Sequence, residues 1–95
     1  MYRVFKSKRF IKSYRRLKRS GHLKVQARRT LEEILTALAN GVHLTRAATD
    51  HRLQGEYAAY RECHIQGNLL LVYRIDESLG VIVLHDIGTH SQLFG

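Results

Sequence analysis

The apolar residues near the N-terminus follow two patterns, which predict a short strand and then a helix. Residues 2–5 alternate weakly, as a short edge strand does. After Ser7 the apolar positions recur three and four residues apart, with Lys and Arg on the opposite helical face. This helix is predicted to end at Ser20-Gly21, because glycine readily adopts the left-handed conformation of a C-cap.

A second apolar stripe predicts another helix, from about residue 23 to Asn40-Gly41. Thr30 and Glu33 have the spacing of a capping box, so a new helix starting at residue 30 is an alternative. The stripe continues through residue 30, which favours one helix. Its apolar positions are Ala27, Leu31, Ile34, Leu35 and Leu38.

The C-terminal half predicts a polar loop at residues 42–55 and then three strands. The middle strand is almost continuously apolar, which is typical of a strand covered by helices. The order β-α-α-β-β-β predicts an α+β fold, in which two helices pack on one face of an antiparallel sheet. The opposite face is expected to be partly open. The three strands are predicted at residues 57–65, 69–75 and 81–84.

The length of 95 residues favours one domain spanning residues 1–95, and its charge is uneven. Residues 1–29 contain twelve Lys and Arg and no acidic residue. Residues 30–95 contain four basic and eight acidic residues, a net charge of −4. A cationic segment of this kind favours binding to a phosphate backbone or an acidic protein. The alternative is a solvated helix face that only maintains solubility.

Cys63 is the only cysteine, so the chain cannot form an internal disulfide. This fits a reducing compartment. No stretch of 18 apolar residues is present, and the N-terminus lacks the apolar segment of a secretory signal. We therefore expect a cytoplasmic protein without a membrane segment.

Three histidines lie among polar residues near the ends of predicted strands: His51, His64 and His90. Imidazole exchanges protons near neutral pH, so three imidazoles on a basic chain indicate acid–base chemistry on a polyanion. Alternation along the strand places His64 on the open face of the sheet. Convergence of all three histidines is an expectation from topology. Most isolated histidines are surface or hydrogen-bonded residues, and we give that interpretation to His22, His43 and His85.

A zinc site is the competing interpretation of the three histidines. They are 13 and 26 residues apart, and the chain has neither an H-E-x-x-H nor a C-x-x-C motif. The spacing therefore argues against a zinc site, and we expect no cofactor.

Four motifs carry a resemblance that covers almost the whole chain. They are D-H-R-L-Q-G at 50–55, Y-R-E-C-H-I at 60–65, N-L-L-L-V-Y-R-I at 68–75 and G-T-H-S-Q-L-F at 88–94. In this order and spacing, together with the basic two-helix segment, they resemble the YafQ branch of the RelE/ParE toxin superfamily.

The resemblance implies a bacterial type II toxin that cuts mRNA on the ribosome without a metal and is inhibited by a cognate antitoxin. It implies that His51, His64 and His90 are catalytic and that Phe94 belongs to the active site. The family position of Asn68 is often an aspartate; asparagine cannot act as a base but can bind RNA or orient a histidine.

These residues fit cleavage by the RNA 2′-OH. In our hypothesis His64 and His90 form the acid–base pair and His51 neutralises the phosphate, with no assignment of base and acid. Arg61, Asn68 and Phe94 are the candidate RNA-binding residues. Phe94 is suited to stacking on a base.

Three other functions remain open on the sequence. A ParE-like toxin would inhibit DNA gyrase without cutting RNA, although such toxins lack a histidine set. A non-catalytic nucleic-acid-binding module would bind in a salt-sensitive way without needing the histidines. A decayed toxin would fold but have no activity.

Overall fold

A computed structural model describes residues 1–41 and 59–95, together with the backbone of residues 51–52. It contains five strands and three helices over these residues. In chain order they are β1 (Arg3–Lys6), α1 (Lys8–Arg19), α2 (Val25–Ala39), β2 (His51–Arg52), β3 (Arg61–Gln66), β4 (Leu69–Asp76), β5 (Val81–Thr89) and α3 (His90–Phe94).

Both long helices begin and end close to the predicted positions. The Ser7 side chain caps α1 by accepting a hydrogen bond from the Phe10 backbone N–H at 3.0 Å. After α1, Gly21 takes a φ of 79°, which glycine adopts without a steric penalty. The second helix is continuous through Thr30, so the alternative of a restart at that residue is wrong.

The five strands form one sheet in the order β1-β5-β4-β3-β2. The α+β class is confirmed, but one pair departs from the predicted antiparallel sheet. β1 runs parallel to β5, from Arg3 opposite Val81 to Lys6 opposite Leu84, so the sheet is mixed. The other pairs are antiparallel. Only tight hairpins impose an antiparallel direction, and β1 and β5 are far apart in the sequence.

Four local predictions need correction. β3 begins at Arg61 rather than at residue 57, and β5 extends to Thr89 rather than to residue 84. β2 lies inside the predicted loop, and α3 follows β5 without having been predicted. Two-residue strands and five-residue helices are too short to produce a hydrophobic period. The remaining residues of the predicted loop lie outside the described part of the chain.

The first face of the sheet packs against α1 and α2, as predicted. Cys63 on β3, Leu71 and Tyr73 on β4 and Leu84 on β5 are completely buried there. Apolar residues of both helices, such as Leu31, complete the same cluster. Burial of each large apolar side chain contributes about 1.5–3 kcal/mol, which makes this face the main source of stability.

The second face is the one that α1 and α2 leave uncovered. Leu70 and Val72 on β4 are nearly inaccessible but do not belong to the helix-side cluster. α3 folds back onto β5 on this face, so tightly that a side chain at Gly88 would collide with Gln92. The second face is therefore partly covered, and its polar residues surround a small apolar floor. Among the described residues, every helix is too short or too polar to cross a membrane.

Candidate active site

The strand register aligns polar residues across the second face. His51 on β2 lies opposite Glu62 on β3, and Glu62 lies opposite Val72. Val72 in turn lies opposite Asp86 on β5. Directly opposed residues project to the same side of a sheet, so this row runs across four strands. The side chain of His51 lies outside the described residues, and its placement here rests on the backbone pairing.

His64 lies in the next row on the same face. It is opposite Leu70, and Leu70 is opposite Gly88. The His64 side chain is half-buried, and its Nδ1 atom has no hydrogen-bond partner among the described residues. A buried nitrogen without a partner is costly to maintain in a structural role, whereas a bound substrate can provide the missing partner.

α3 positions His90 at the edge of this row. Thr89 is the N-cap: its hydroxyl accepts a hydrogen bond from the Gln92 N–H at 3.2 Å, and Gln92 Oε1 accepts one from the Thr89 N–H at 2.8 Å. This capping box fixes a helix of only five residues. Glycine at position 88 allows the close approach, since a Cβ there would lie 2.9 Å from Gln92 Oε1.

His90 and Phe94 lie at opposite ends of α3 and contact each other. Their ring centroids are 5.2 Å apart, with the planes inclined at 56°. His90 is exposed, while Phe94 is half-buried. This contact restricts the imidazole to one side of the short helix and leaves it accessible to a ligand.

Asn68 and Arg61, the two remaining predicted site residues, differ in their position relative to the histidines. Asn68 is exposed in the turn between β3 and β4, and the next residue, Leu69, lies opposite Thr89. The turn is thus close to the start of α3. Arg61 is half-buried and lies opposite Tyr73, so the strand alternation directs it toward the helix-covered face. The register therefore brings Asn68, but not Arg61, toward the histidines.

His85 is a second-face residue that the sequence analysis treated as an ordinary surface histidine. The register of β4 and β5 shifts here, since Val72 pairs with Asp86 but Tyr73 pairs with Leu84. His85 is therefore the extra residue of a β-bulge. Its ring lies 4.6 Å from the ring of Tyr60, centroid to centroid.

Burial and neighbouring cations lower the pKa of His85. Desolvation is the largest cause, followed by the positive charge of Arg9. Asp86 opposes these effects, and Arg74 adds to them. The neutral imidazole is thus favoured relative to an exposed histidine.

A basic groove leads to α3 from the side of the first helix. β1 ends opposite Leu84, and the Ser7 hydroxyl at the start of α1 donates a hydrogen bond to the His85 carbonyl at 2.8 Å. The end of β5 is thereby flanked by a helix instead of a strand. A cavity of about 440 Å³ lies between them. Residues that line it include Lys8, Arg9, Lys12 and Arg16 of α1, together with Asp86 and Gln92.

Glu62 and Asp86 are acidic second-face residues that sequence reasoning did not assign to the site. Among the residues whose burial the structure describes, Glu62 is the only charged one that is buried, and it shares its strand face with His64 two residues away. That alternation was a usable signal. Asp86 gave no such signal, because the bulge at His85 reverses the alternation along β5. Within the described part of the chain, no three His, Cys, Asp or Glu side chains converge as a metal site would require.

Comparison with known proteins adds an independent finding. The family model described as "Bacterial toxin of type II toxin-antitoxin system, YafQ" matches residues 2–95. The mRNA interferase toxin YafQ of Escherichia coli K12 is 33% identical over 66 residues, which are 68% of this chain and 70% of that protein. A YafQ protein of Haemophilus influenzae is 39% identical over 57 residues. That match spans 58% of this chain and only 56% of the Haemophilus protein.

Solved structures agree with the fold. A metal-bound toxin from Helicobacter pylori is 34% identical, with a TM-score of 0.84 over 99% of this chain and 100% of that one. The matching chain of the E. coli DinJ-YafQ toxin-antitoxin complex is 25% identical, with a TM-score of 0.83 over 99% of this chain and 98% of that one. The similarity thus extends over the whole of the described fold.

Proposed function

This chain belongs to the YafQ family of bacterial toxins of type II toxin-antitoxin systems, and we propose that it is a ribosome-dependent mRNA endoribonuclease. The name of the E. coli relative, mRNA interferase toxin, supports the reaction type. The observation that carries the proposal is the strand register. It aligns the backbones of His51 and His64 with the strand that leads into His90.

The proposed reaction uses the RNA itself as the nucleophile. One imidazole removes the proton from a ribose 2′-OH, whose oxygen attacks the adjacent phosphorus. The bond to the 5′-oxygen breaks, and a second imidazole protonates that leaving group. His64 and His90 form this pair in our proposal, and His51 neutralises the phosphate. General acid–base catalysis contributes about 10²–10⁴-fold per well-placed group.

The spacing of the strands is compatible with this pair. His64 and Gly88 are separated by two strand spacings of about 4.8 Å each, and His90 follows Gly88 by two residues. Imidazoles that extend from these two backbones can approach one phosphate from opposite sides.

The basic groove beside α1 is the proposed path of the RNA backbone. The cationic side chains that line it are exposed, and the groove reaches Gln92 in the same helix as His90. Each phosphate contact releases bound counterions, so RNA affinity should fall steeply with salt. Phe94 is proposed to stack on a base, and Asn68 to hydrogen-bond the RNA from the neighbouring turn. Arg61 projects from the opposite side of β3, so it can contact the RNA only from the end of that strand.

A cognate antitoxin and a cytoplasmic location complete the proposal. The DinJ-YafQ complex supports an antitoxin partner for this chain. The excess positive charge of residues 1–29 suits an acidic antitoxin segment. mRNA, ribosomal RNA and this antitoxin would compete for the same cationic surface.

Cleavage in a bacterial cell-free translation reaction tests the proposal. Wild-type protein should produce discrete mRNA ends, mapped by primer extension, and His90→Gln should lower their rate of formation by about 10²–10⁴-fold. His22→Gln is the matched control, because His22 is exposed in the connection between α1 and α2. It should cut like the wild type. Equal cutting by His90→Gln and wild type would overturn the catalytic assignment.

Two further arms separate the other functions. The Helicobacter relative was solved with a metal, so the purified protein is treated with EDTA, separated from the chelator, and then added to the same reaction, which keeps the Mg²⁺ that ribosomes need. Retained cleavage supports the metal-free route, whereas loss restored by added Cu²⁺ or Zn²⁺ would overturn it. Intact mRNA in every reaction would instead favour inhibition of DNA gyrase, which an assay of gyrase supercoiling activity with added protein would test.

A further inference from the structure

His85 lies in a cluster of charged groups beside the basic groove, and the proposed reaction gives His85 itself no role. Arg9 approaches from α1, Arg74 from β4 and Asp86 from β5, and each of them affects His85 electrostatically. Tyr60 contacts the imidazole from the chain that leads into β3. These are the charged and titratable groups that face His85 among the described residues.

The cluster is continuous with both parts of the proposed RNA path. Arg9 and Asp86 also line the basic groove, and His85 precedes Gly88 by three residues on the same strand. At about 3.4 Å per residue, His85 is roughly 10 Å along β5 from the position where α3 approaches the sheet. One RNA strand can therefore contact the cluster and the catalytic histidines together.

The local backbone favours a ligand-binding role for His85. β-bulges redirect a side chain, and they occur often beside active sites. The Ser7 hydroxyl holds the His85 carbonyl at 2.8 Å, so the bulge is attached to the first turn of α1.

We propose that His85, together with Arg9, forms a second phosphate contact for the RNA strand, and that RNA binding transfers a proton from solvent to His85. This rests on the proposed function, because the ligand is the same RNA. A phosphate between the two side chains compensates for the desolvation of the imidazolium and for its repulsion by Arg9 and Arg74. His85 is then a positioning residue that holds the strand while the other histidines react.

The direction of the pH effect follows from the free protein. Burial and the two arginines lower the pKa of His85, which favours the neutral imidazole in the free protein. Bound RNA raises the pKa and stabilises the protonated form. Affinity contributed by His85 should therefore increase as pH falls from 8 to 6. Each unit by which bound RNA raises the pKa of His85 can strengthen RNA binding at low pH by at most about tenfold.

Imidazole NMR with an uncleavable ligand tests the inference. The ligand is a short single-stranded 2′-O-methyl RNA, which lacks the nucleophilic hydroxyl. His85 is assigned from the signal missing in His85→Gln, and its pKa is followed with and without the oligonucleotide. We expect the pKa to rise by about one unit or more. An unchanged His85 pKa with saturating oligonucleotide, or no binding at low salt, would overturn the inference.

Binding measurements with variants separate a phosphate contact from a structural role. The ratio of the RNA affinity at pH 6 to that at pH 8 should fall severalfold in His85→Gln, with about tenfold as the upper limit for a rise of one pKa unit, and should stay at the wild-type value in His22→Gln. Arg9→Gln should weaken binding at both pH values, while Arg29→Gln on α2 makes the same charge change away from the groove. An unaltered ratio in a folded His85→Gln protein would contradict the proposal. Since this ligand cannot be cut, a failure of mRNA cleavage is a separate result.

Discussion

The two faces of this sheet use the same strands for different purposes. On the first face, Leu71 and Tyr73 of β4 are completely buried under α1 and α2. On the second face, Leu70 and Val72 of the same strand are buried too, and the strand register places them beside His64, Glu62 and Asp86 of the neighbouring strands. Alternation along one strand therefore separates the residues that stabilise the fold from those that support the candidate site.

The difference shows that stability and proposed function can be altered independently. The first face has a continuous apolar interior, where any lost volume weakens folding. The second face contains His64 with a buried nitrogen that lacks a hydrogen-bond partner, which costs stability, and His85, whose lowered pKa costs stability only as pH falls below the pKa of the unfolded chain. Four substitutions test how complete this separation is.

Leu71→Ala should have the largest effect on folding. Leu71 is fully buried on the first face, and its truncation should lower the free energy of unfolding by about 2–5 kcal/mol. Urea denaturation measures this loss. The folded fraction should still cut mRNA at the wild-type rate per active molecule. A cleavage rate that falls far more than the folded fraction would show that the two faces are coupled.

Gly88→Ala should damage both properties, because it lies where α3 meets the sheet. The added Cβ would be 2.9 Å from Gln92 Oε1 and 3.3 Å from Gln92 Cβ, so the capping box must break or α3 must shift. Such overpacking costs about 1–3 kcal/mol. We expect the cleavage rate, measured by primer extension, to fall by more than the loss of folded protein explains. Urea denaturation measures that loss. Unchanged cleavage would mean that the position of α3 is unimportant to the reaction.

Thr89→Ala removes the cap of α3 without adding a clash. Loss of an N-cap hydroxyl costs about 1 kcal/mol, and α3 should fray while the sheet remains intact. The Gln92 backbone N–H donates its hydrogen bond to the Thr89 hydroxyl. Hydrogen exchange of this amide should therefore accelerate selectively in Thr89→Ala. Thr89→Ser keeps the hydroxyl and should behave like the wild type. Equal exchange in both variants would argue against the capping box as the support of His90.

Asp76→Asn should have the smallest effect, since it alters the exposed hairpin away from both faces. The Ser78 hydroxyl, the Leu79 N–H and Arg74 lower the pKa of Asp76. The carboxylate therefore stabilises the fold above its unfolded pKa of about 3.9, and this contribution is lost as pH falls through the lower folded pKa. The variant should melt below the wild type at pH 7, and the difference in Tm should shrink as pH falls below about 3.9. A difference in Tm that persists at low pH would refute the electrostatic origin.

The sequence predicted the helices and the central strands well because their periods are long and regular. Ser7, the apolar stripe of α1 and Gly21 specify where that helix begins and ends. The sequence did not predict the parallel direction of β1, since no local turn connects it to β5. It also missed α3, whose five residues are held by a capping box and by packing against Gly88.

The candidate site was predictable in its residue types but not in its arrangement. Strand alternation correctly directed His64 away from the core, the positions of His51 and His90 near the ends of predicted strands made them candidates, and the family resemblance added Phe94. The bulge at His85 changes which β5 residues share a face, so Asp86 and His85 were not recognised. Their roles, like the catalytic assignments, are predictions for the experiments above.

The amino-acid sequence by itself determined the α+β class, the uneven charge and the separation of apolar from polar positions along each element. These properties depend on neighbours within a few residues, which is the range of hydrophobic periodicity and capping. Tertiary structure alone decided which strands are adjacent, where β5 bulges and where α3 folds back. Such features depend on contacts between residues far apart in the chain, and these contacts align the row that contains His51, Glu62 and Asp86.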